Sequence, residues 1–473
     1  KMTTISVPIN LPDVEVINTN ILENGDIILR VKSGSFTFSV ADKIFKKQYN
    51  ITIIHLPGAD KMTTISVSIN LSDVEVINTN ILDNGDIIVR VKSTKTGTCC
   101  KHCGEHTARY HSLNEKVILN HLPSFGNAVY IEFKPVRYMC TNCDGNPTTT
   151  EKPSWYQSKG HCTELYAKYI LDLLINSTIK DVARRENITY KRIISIIKNY
   201  IPTGIDWSKI KELKILGIDE ISIKKGHKDF VVIISTKING NPVVLGILKN
   251  RKKDTLKKFL LSIPSHLAKT VESVCCDMYD GFIYAVKEVS GSKVRVVIDR
   301  FHVSKNYRKS IENLRKKEMK RLKSELSEEE YAKLTNIMWI LRKNPQTISD
   351  EEKEKLNLLF KYSPLLKKAY NFMNKLTSIF NQDISVKQAK RKINQWIKNV
   401  EKSALTCFNT FIKTLKKLWN EILNYFVNRF NSGFVEGLNN KIKVLKRRCY
   451  GIFNVENLFQ RVSIDLEGNR SIH

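Results

Sequence analysis

The sequence predicts an α/β protein whose main domain is preceded by smaller accessory domains. Three observations predict this class. Residues 213–299 alternate apolar strands with short helices, residues 302–430 form one long basic helical region, and two CxxC cysteine pairs precede both. A chain of 473 residues is long enough for about three domains of ordinary size. We expect Trp339, Trp396 and Trp419 to lie in the cores of the helical region.

The charge of the chain indicates the kind of partner it binds. The 77 Lys and Arg residues exceed the 47 Asp and Glu residues and give a formal net charge of +30. A protein this basic attracts a polyanion, and nucleic acid is the expected partner. The sequence has no long uncharged apolar run and no signal-peptide core in residues 1–11, so we expect no membrane role. Clustered cysteines in a chain of this length indicate metal binding in a reducing, cytoplasmic compartment.

The amino-terminal part contains a duplication. Residues 1–33 recur as residues 61–93 with four changes, and each copy predicts a strand, an Asn-Gly turn and a second strand. A working tandem module would repeat its whole unit, but residues 34–60 do not resemble residues 94–120. We therefore interpret residues 1–60 as a duplicated fragment, Met62 as the natural start and residues 61–98 as a β-hairpin leader.

The two CxxC pairs predict a structural zinc site. Cys100 and Cys103 form one pair, and Cys140 and Cys143 form the other. Four thiolates presented from two tight turns can bind Zn²⁺ tetrahedrally, which predicts a zinc ribbon over residues 99–150. Cys99 could replace Cys100 as a ligand. The alternative is a small β unit with four unligated thiols.

Residues 160–205 have the pattern of a helix-turn-helix DNA-binding domain. Asn187 can adopt the left-handed turn conformation, and Thr189 can cap the helix that follows. That helix would begin with Tyr190, Lys191 and Arg192, at the position where a recognition helix contacts DNA bases. The alternative is an ordinary helical linker.

Two apolar strands each run into an acid. Residues 213–218 lead to Asp219, and residues 271–276 lead to Asp277. Acids at the carboxyl ends of buried strands are typical of α/β active sites. Because side chains alternate along a strand, we expect only one of Asp219 and Glu220 to face such a site. The pair Asp280-Gly281 indicates a helix start. Taken singly, each acid could also be a solvated strand end or a helix cap.

These residues belong to longer segments that resemble the ISL-three family of bacterial insertion-sequence transposases. The resemblance runs in order over about residues 95–466. It is carried by residues 216–220 (LGIDE), 276–279 (CDMY), 299–303 (DRFHV) and, above all, 431–443 (NSGFVEGLNNKIK) with its continuation 446–451 (KRRCYG).

The resemblance implies an RNase H-like catalytic domain with a large helical insertion. Residues 210–302 would form its first part, residues 303–430 the insertion and residues 431–473 its carboxyl-terminal part. The implied DDE triad is Asp219, Asp277 and Glu436, which would bind Mg²⁺ or Mn²⁺. Asp299 and His302 would orient the site or the DNA.

The implied function is cutting and rejoining DNA at the ends of a mobile element. The protein would bind terminal inverted repeats and target DNA in the bacterial nucleoid, and a homodimer would synapse the two ends. Hard divalent ions prefer oxygen ligands, which fits three carboxylates.

The segment that carries Glu436 also contains candidate DNA contacts. Asn439 and Asn440 follow Glu436 at i+3 and i+4, on the same helix face, and can bind phosphates or orient the carboxylate. The basic residues that would hold the DNA backbone are Lys443, Lys446, Arg447 and Arg448. A solvated basic helix face is the alternative for that run. Three other functions remain open: a non-catalytic DNA-binding regulator, an inactive transposase copy, and an RNase H-like nuclease without strand transfer.

Overall fold

The computed structural model describes residues 69–467, apart from 125, 158–159, 225–227, 430–432, 450–451 and 453, together with the backbones of five strands within residues 1–68. The chain divides into two compact units, residues 1–200 and residues 201–467. Within the described ranges, no helix is long and apolar enough to cross a membrane.

The first unit contains short strands followed by three helices. Its strands are β1 (Thr4–Ile9), β2 (Glu15–Ile21), β3 (Ile27–Lys32), β4 (Ile51–Ile54), β5 (Thr63–Ser68), β6 (Val74–Ile81), β7 (Ile87–Ser93), β8 (Thr98–Cys99), β9 (His106–Thr107), β10 (Tyr110–Leu113), β11 (Val117–Ser124), β12 (Asn127–Phe133), β13 (Val136–Met139) and β14 (Thr148–Thr150). Its helices are α1 (Glu164–Leu174), α2 (Ile179–Arg185) and α3 (Tyr190–Tyr200).

The two copies of the duplicated segment have different neighbours. Each copy forms the predicted hairpin with the same bulge, β2 with β3 and β6 with β7. The first hairpin is a two-stranded sheet by itself, whereas the second belongs to a four-stranded sheet in the order β11-β12-β7-β6. The remaining strands of residues 1–68 pair in the order β1-β5-β4.

The four-stranded sheet crosses the boundary that the sequence suggested at residues 98/99. β7 of the hairpin leader pairs in parallel with β12, a strand within residues 99–150, where the sequence predicts the zinc ribbon. Inward-facing Val89, Leu119 and Ile131 are fully buried in one core with Phe133 and Trp155. Buried residues alternate with more exposed ones along β7, and burial of its inward face joins the hairpin to β11 and β12.

The second unit is built on a five-stranded mixed sheet within the described residues. Its strands are β15 (Ile215–Lys224), β16 (Lys228–Ile238), β17 (Asn241–Leu248), β18 (Ser273–Cys276) and β19 (Arg295–Ile298), in the order β17-β16-β15-β18-β19. β15, β16 and β17 are antiparallel, while β15, β18 and β19 are parallel. This arrangement confirms the predicted α/β class.

Helices cover both faces of this sheet because its strands are apolar on both sides. In β16, Val232 and Ile234 belong to one core, and Val231 and Ile233 to the other. The first core includes residues of α4 (Lys253–Ser262), α6 (Asp280–Ser290) and α7 (Arg300–Glu325), and the second includes residues of α16 (Gly433–Arg448) and α17 (Val455–Glu467). A short helix, α5 (Ser265–Ala268), precedes β18.

The region between α7 and α16 is helical, as predicted. It contains α8 (Glu328–Ala332), α9 (Ile337–Ile340), α10 (Asp350–Tyr362), α11 (Pro364–Asn381), α12 (Val386–Lys402), α13 (Asn409–Lys417), α14 (Trp419–Leu423) and α15 (Tyr425–Asn428). Trp396 is buried, Trp419 is half-buried, and Trp339 is 59% exposed, so the core position expected for Trp339 is wrong. Trp339 instead packs against its own helical turn, where the Arg342 guanidinium lies over its ring.

Candidate functional site

The parallel pairing of three strands in the second unit ends in register, and the next residue of each is an aspartate. Contrary to the sequence prediction, Asp219 therefore does not stand at the carboxyl end of its strand, because β15 continues to Lys224 in its pairing with β16. Ile218 of β15 pairs with Cys276 of β18, which in turn pairs with Ile298 of β19. The next residues are Asp219, Asp277 and Asp299. Neighbouring strands lie about 4.8 Å apart, so the three carboxylates start from adjacent points on one sheet edge.

Local hydrogen bonds fix the direction of each aspartate. Asp219 Oδ1 accepts from the Glu220 backbone N–H at 2.8 Å, and Asp277 Oδ1 accepts from that of Tyr279 at 2.9 Å. Asp299 is the N-cap of α7 and accepts from the Phe301 backbone N–H at 3.1 Å. His302 lies in the first turn of α7, beside the same edge.

Helix α16 packs on the sheet through an apolar face, and this packing places Glu436 at the same edge. Leu438, Ile442 and Leu445 are buried in the core that α16 shares with the sheet. Their spacing is that of one helix face, and burying each side chain contributes about 1.5–3 kcal/mol. Glu436 is exposed on the flank beside that stripe. Asn439, on the same flank, is buried, and its Nδ2 donates to Asp219 Oδ2 at 2.5 Å.

These side chains line one cleft of about 750 Å³. The acids on its wall are Asp219, Glu220, Asp277, Asp299 and Glu436, and the basic residues are His302, Lys305, Lys443, Lys446 and Arg447. Asn439 and Asn440 lie between the two sets. The cleft thus combines a group of acids suited to cations with a group of bases suited to phosphates.

Two acids at the sheet edge, Asp219 and Asp277, carry raised pKa values. Burial raises the pKa of Asp219, and nearby Asp277 and Asp299 raise it further, while His302 acts in the opposite direction. Burial also raises the pKa of Asp277. Carboxylates that are partly desolvated next to one another are stabilised in their charged form by a bound cation.

The donor set of the cleft fits a hard divalent ion. Its acidic side presents oxygen atoms, and one of them, Asn439 Oδ1, is buried without a hydrogen-bond partner among the described residues. Among the described residues, the carboxylate oxygens of Asp219, Asp277 and Glu436 do not all lie within 4.8 Å of one another. Two ions about 3.5–4 Å apart need their ligands spread more widely than one ion does.

Sequence reasoning missed the position of Glu220. Alternation along β15 predicts that Asp219 and Glu220 point to opposite faces, yet both line the cleft. The pairing of β15 with β18 ends at Ile218, so no neighbouring strand on that side restricts Glu220. Its Oε2 lies 3.5 Å from the guanidinium of Arg251, which also lies over the rings of Phe230 and Tyr279. The basic run around Arg251 gave no sign of this contact, because its partners are far apart in sequence.

The predicted DNA-contact residues of α16 divide into two groups. Lys443 and Arg447 are exposed in the cleft, and Lys446 donates to the Ser222 carbonyl at 2.7 Å at its margin. Arg448 departs from the prediction, since it forms an ion pair with the buried Asp465 of α17 and does not line the cleft. Helical periodicity turns Arg448 toward α17, where it links the two helices.

The four predicted cysteine ligands converge in the first unit. The Sγ atoms of Cys100, Cys103, Cys140 and Cys143 all lie within 4.8 Å of one another. The Sγ separations are 4.0 Å for Cys100–Cys143, 3.7 Å for Cys103–Cys140 and 3.8 Å for Cys140–Cys143. Tetrahedral zinc with Zn–S bonds of 2.3 Å requires separations of about 3.8 Å. Cys99 is exposed and outside the group, so Cys100 supplies the thiol.

Each cysteine pair lies on a similar tight turn. Gly104 follows the first pair with φ +78°, and Gly145 follows the second with φ +75°, a conformation that favours glycine. Hydrogen bonds from the backbone N–H groups of Cys103 and His102 lower the pKa of Cys100 to about 6. The neighbouring cysteines and burial raise the pKa of Cys143 to about 12, as expected when four thiols share one point.

Helices α1 to α3 have the geometry that the sequence predicted for a helix-turn-helix. Asn187 has φ 50°, and Thr189 Oγ1 accepts from the Arg192 backbone N–H at 3.3 Å. Tyr190 and Lys191 are exposed at the start of α3. Arg192 departs from the prediction of an exposed base contact, because it is half-buried and donates to Asn120 Oδ1 of β11 at 2.9 Å.

Comparison with known proteins agrees with these features. A family model described as "Transposase" matches residues 216–462, and a model described as "Helix-turn-helix domain of transposase family ISL3" matches residues 151–201. Residues 216–462 therefore form a DDE-type transposase domain, and a helix-turn-helix DNA-binding domain precedes it in the chain. The chain belongs to the ISL3 family of transposases, the ISL-three family named above.

Curated relatives match most of the chain. The transposase for insertion sequence element IS1001 of Bordetella parapertussis is 26% identical over 80% of this chain and 92% of its own length. The transposase for insertion sequence element IS1557 of Mycobacterium tuberculosis is 21% identical over 88% of this chain and 95% of its own length. A solved Drosophila P element transposase strand transfer complex has a TM-score of 0.36 at 12% identity, covering 64% of this chain and 92% of that chain.

Proposed function

We propose that this chain excises and inserts a bacterial insertion sequence by metal-dependent cleavage and strand transfer at the element's ends. Asp219, Asp277 and Glu436 are the proposed catalytic triad in an RNase H-like domain. The observation that carries the proposal is the register at the sheet edge, where Asp219 and Asp277 follow paired residues and α16 brings Glu436 into the same cleft.

The proposed cofactor is a pair of Mg²⁺ or Mn²⁺ ions. Bound there, the ions would activate a water or a 3′-hydroxyl and stabilise the leaving oxygen of the phosphodiester. Asn439 holds Asp219 in place, and Asp299 and His302 orient the edge of the site. We expect the triad carboxylates to lie within about 4–8 Å of one another, the range that two bridged ions allow.

The DNA is proposed to enter the cleft along its basic side. Lys443, Lys446 and Arg447 would contact backbone phosphates, and Asn440 would contact a phosphate or a sugar. In the first unit, Tyr190 and Lys191 would contact the terminal inverted repeats, and a structural Zn²⁺ on the four cysteines would stabilise the fold around them. Two copies of the chain would bring the two element ends together, in the bacterial cytoplasm.

The proposal is tested with purified full-length protein and a supercoiled plasmid that carries the gene with its natural flanking DNA. Nicked, linear and joined products are measured with and without Mg²⁺. Asp219→Asn, Asp277→Asn and Glu436→Gln should each lower cleavage at least about 1,000-fold, because a lost metal ligand removes several kcal/mol of stabilisation. Glu456→Gln is the matched control, since Glu456 is an exposed acid at the start of α17.

The same experiment separates the alternatives. A non-catalytic regulator would bind the flanking DNA and leave the plasmid uncut at every Mg²⁺ concentration. A nuclease without strand transfer would cut it without joined products. Full cleavage by the Glu436→Gln variant would contradict the proposed triad.

A further inference from the structure

The duplicated segments contact each other through equivalent strands. β1 belongs to the first copy and β5 to the second, and residues 3–7 are identical to residues 63–67. The two strands pair antiparallel over their whole length, from Thr4 opposite Ser68 to Ile9 opposite Thr63. One strand sequence thus pairs with a near-copy of itself.

The register of this pair is symmetric. Ser6 lies opposite Ser66, which is its own equivalent in the second copy. Thr4 lies opposite Ser68, and Pro8 lies opposite Thr64. Since position 4 is equivalent to position 64 and position 8 to position 68, exchanging the two copies leaves the register unchanged. An antiparallel pair with this property has an approximate twofold axis at Ser6 and Ser66, which is the symmetry of an isologous contact between two identical chains.

We propose that strand Thr63–Ser68 is a self-recognition strand, and that the partner it fits is the same strand of a second copy of this chain. In the present chain, β1 of the first copy pairs with β5 and takes the place of the strand from a second molecule. When β1 is removed from the edge, β5 of one chain pairs with β5 of another about an axis at Ser66. This inference concerns assembly and does not depend on the proposed cleavage chemistry.

The composition of the strand supports a homotypic pair. Residues 63–68 contain no charged residue and no proline, the two devices that commonly protect a sheet edge from pairing.

The first copy prevails in the intact chain because it is tethered. Because β1 and β5 belong to one chain, they meet at an effective concentration of the order of millimolar, about 100-fold above a protein solution of about 10 μM. An isolated pair of six-residue strands is only marginally stable in water. The contact is therefore best detected by trapping it with a disulfide.

The experiment uses full-length chains with one new cysteine in β5 and mild oxidation, and identifies cross-linked peptides by mass spectrometry. Ser66→Cys places two thiols directly opposite in the proposed pair, at a separation of about 5 Å between Cα atoms, which a disulfide can span. Ser68→Cys is the matched control on the same strand. In the same register its two copies are offset by about 13 Å along the strand, which is too far for a disulfide.

Each cysteine is tested with the first copy intact and with β1 disabled by Ile5→Pro, Ser6→Pro and Val7→Pro, which remove backbone donors on both edges of the strand. With β1 disabled, the 66–66 cross-link between chains should form and the 68–68 cross-link should not. With β1 intact, the 66–66 yield should fall about 100-fold at about 10 μM protein. An otherwise unchanged chain with Ser6→Cys and Ser66→Cys should form an internal disulfide, which tests the register without disabling any strand.

Three outcomes would overturn the proposal. One is failure of the internal 6–66 disulfide. Another is equal 66–66 and 68–68 yields with β1 disabled, which would indicate unspecific collision. The third is a 66–66 yield that the intact first copy does not reduce. None of these readouts involves DNA cleavage, so a failure here is distinct from a failure of the proposed function.

Discussion

Replacing Asn439 with alanine should impair cleavage by releasing Asp219 from its position at the sheet edge. The Asn439 amide donates to Asp219 Oδ2 at 2.5 Å from a buried position on α16. The other Asp219 oxygen accepts only from the adjacent Glu220 backbone N–H among the bonds described. Without Asn439, the carboxylate can rotate away from the direction in which it would bind a metal ion.

The size of the effect follows from the kind of bond that is lost. A hydrogen bond to a charged group is worth about 1.5–3 kcal/mol. If this stabilisation is required in the transition state, the rate should fall about 10- to 150-fold. The loss should be smaller than that of Asp219→Asn, because the carboxylate itself remains in the cleft.

The assay is plasmid cleavage over a Mg²⁺ titration, with DNA binding and thermal stability measured on the same preparations. Asn439→Ala should require more Mg²⁺ for half-maximal cleavage and should bind DNA as the unchanged chain does. Asn440→Ala is the matched control, since Asn440 is the same residue type one position further along and is exposed. We expect it to weaken DNA binding without changing the Mg²⁺ requirement.

Cleavage by Asn439→Ala within about twofold of the unchanged chain, with the same Mg²⁺ requirement, would show that Asn439 does not hold Asp219 in place. A Mg²⁺ shift of equal size in Asn440→Ala would show that the effect does not depend on the bond between Asn439 and Asp219.

Other variants test the first unit. Cys140→Ser should lose bound zinc and lower the unfolding temperature, because three thiolates leave the tetrahedral site open; Cys99→Ser should keep its zinc, and equal metal content in both would contradict the four-cysteine site. Lys191→Ala should weaken DNA binding, uniformly across sequences if it contacts phosphate and by about 1–3 kcal/mol at specific ends if it contacts a base; unchanged binding would remove it from the interface. Arg192→Ala should instead lower the free energy of unfolding by about 1–3 kcal/mol, since it leaves the acceptor of Asn120 unpaired; loss of DNA binding with unchanged stability would contradict this. A chain that begins at Met62 should bind and cleave element ends as the full chain does, and loss of folding or cleavage would show that residues 1–60 are needed.

Features that depend on short segments could be predicted from the sequence. The apolar runs before Asp219 and Asp277 identified two strands. β15 continues to Lys224, but its parallel pairing with β18 ends just before the two acids and brings them to one edge. The CxxC spacing identified the four thiols, because each pair is a single turn. Asn187 and Thr189 marked the helix-turn-helix, since a left-handed residue and a cap are properties of the local backbone.

Features that depend on a distant partner could not be predicted. Arg192 and Arg448 have the same local appearance as the basic residues around them, yet one bonds Asn120 and the other pairs with Asp465. A basic side chain becomes structural or available for DNA according to what the fold places beside it. The position of Glu220 likewise depends on where β18 stops, which is more than 50 residues away in the chain.

The position of Glu436 shows how a residue so far along the chain can still be fixed accurately. The last paired residue of β19 is Ile298, and α16 begins only at Gly433 after a long helical region. Yet α16 is held by Leu438, Ile442 and Leu445 in a core that contains Ile221 and Ile233 of the sheet and none of the residues of α8 to α15. Its orientation therefore depends on packing against the strand that carries Asp219, and the closure cost of a longer intervening segment grows only slowly with length. A large helical insertion can accordingly lie between the second and third acids without displacing either, because both acids are positioned by the same sheet.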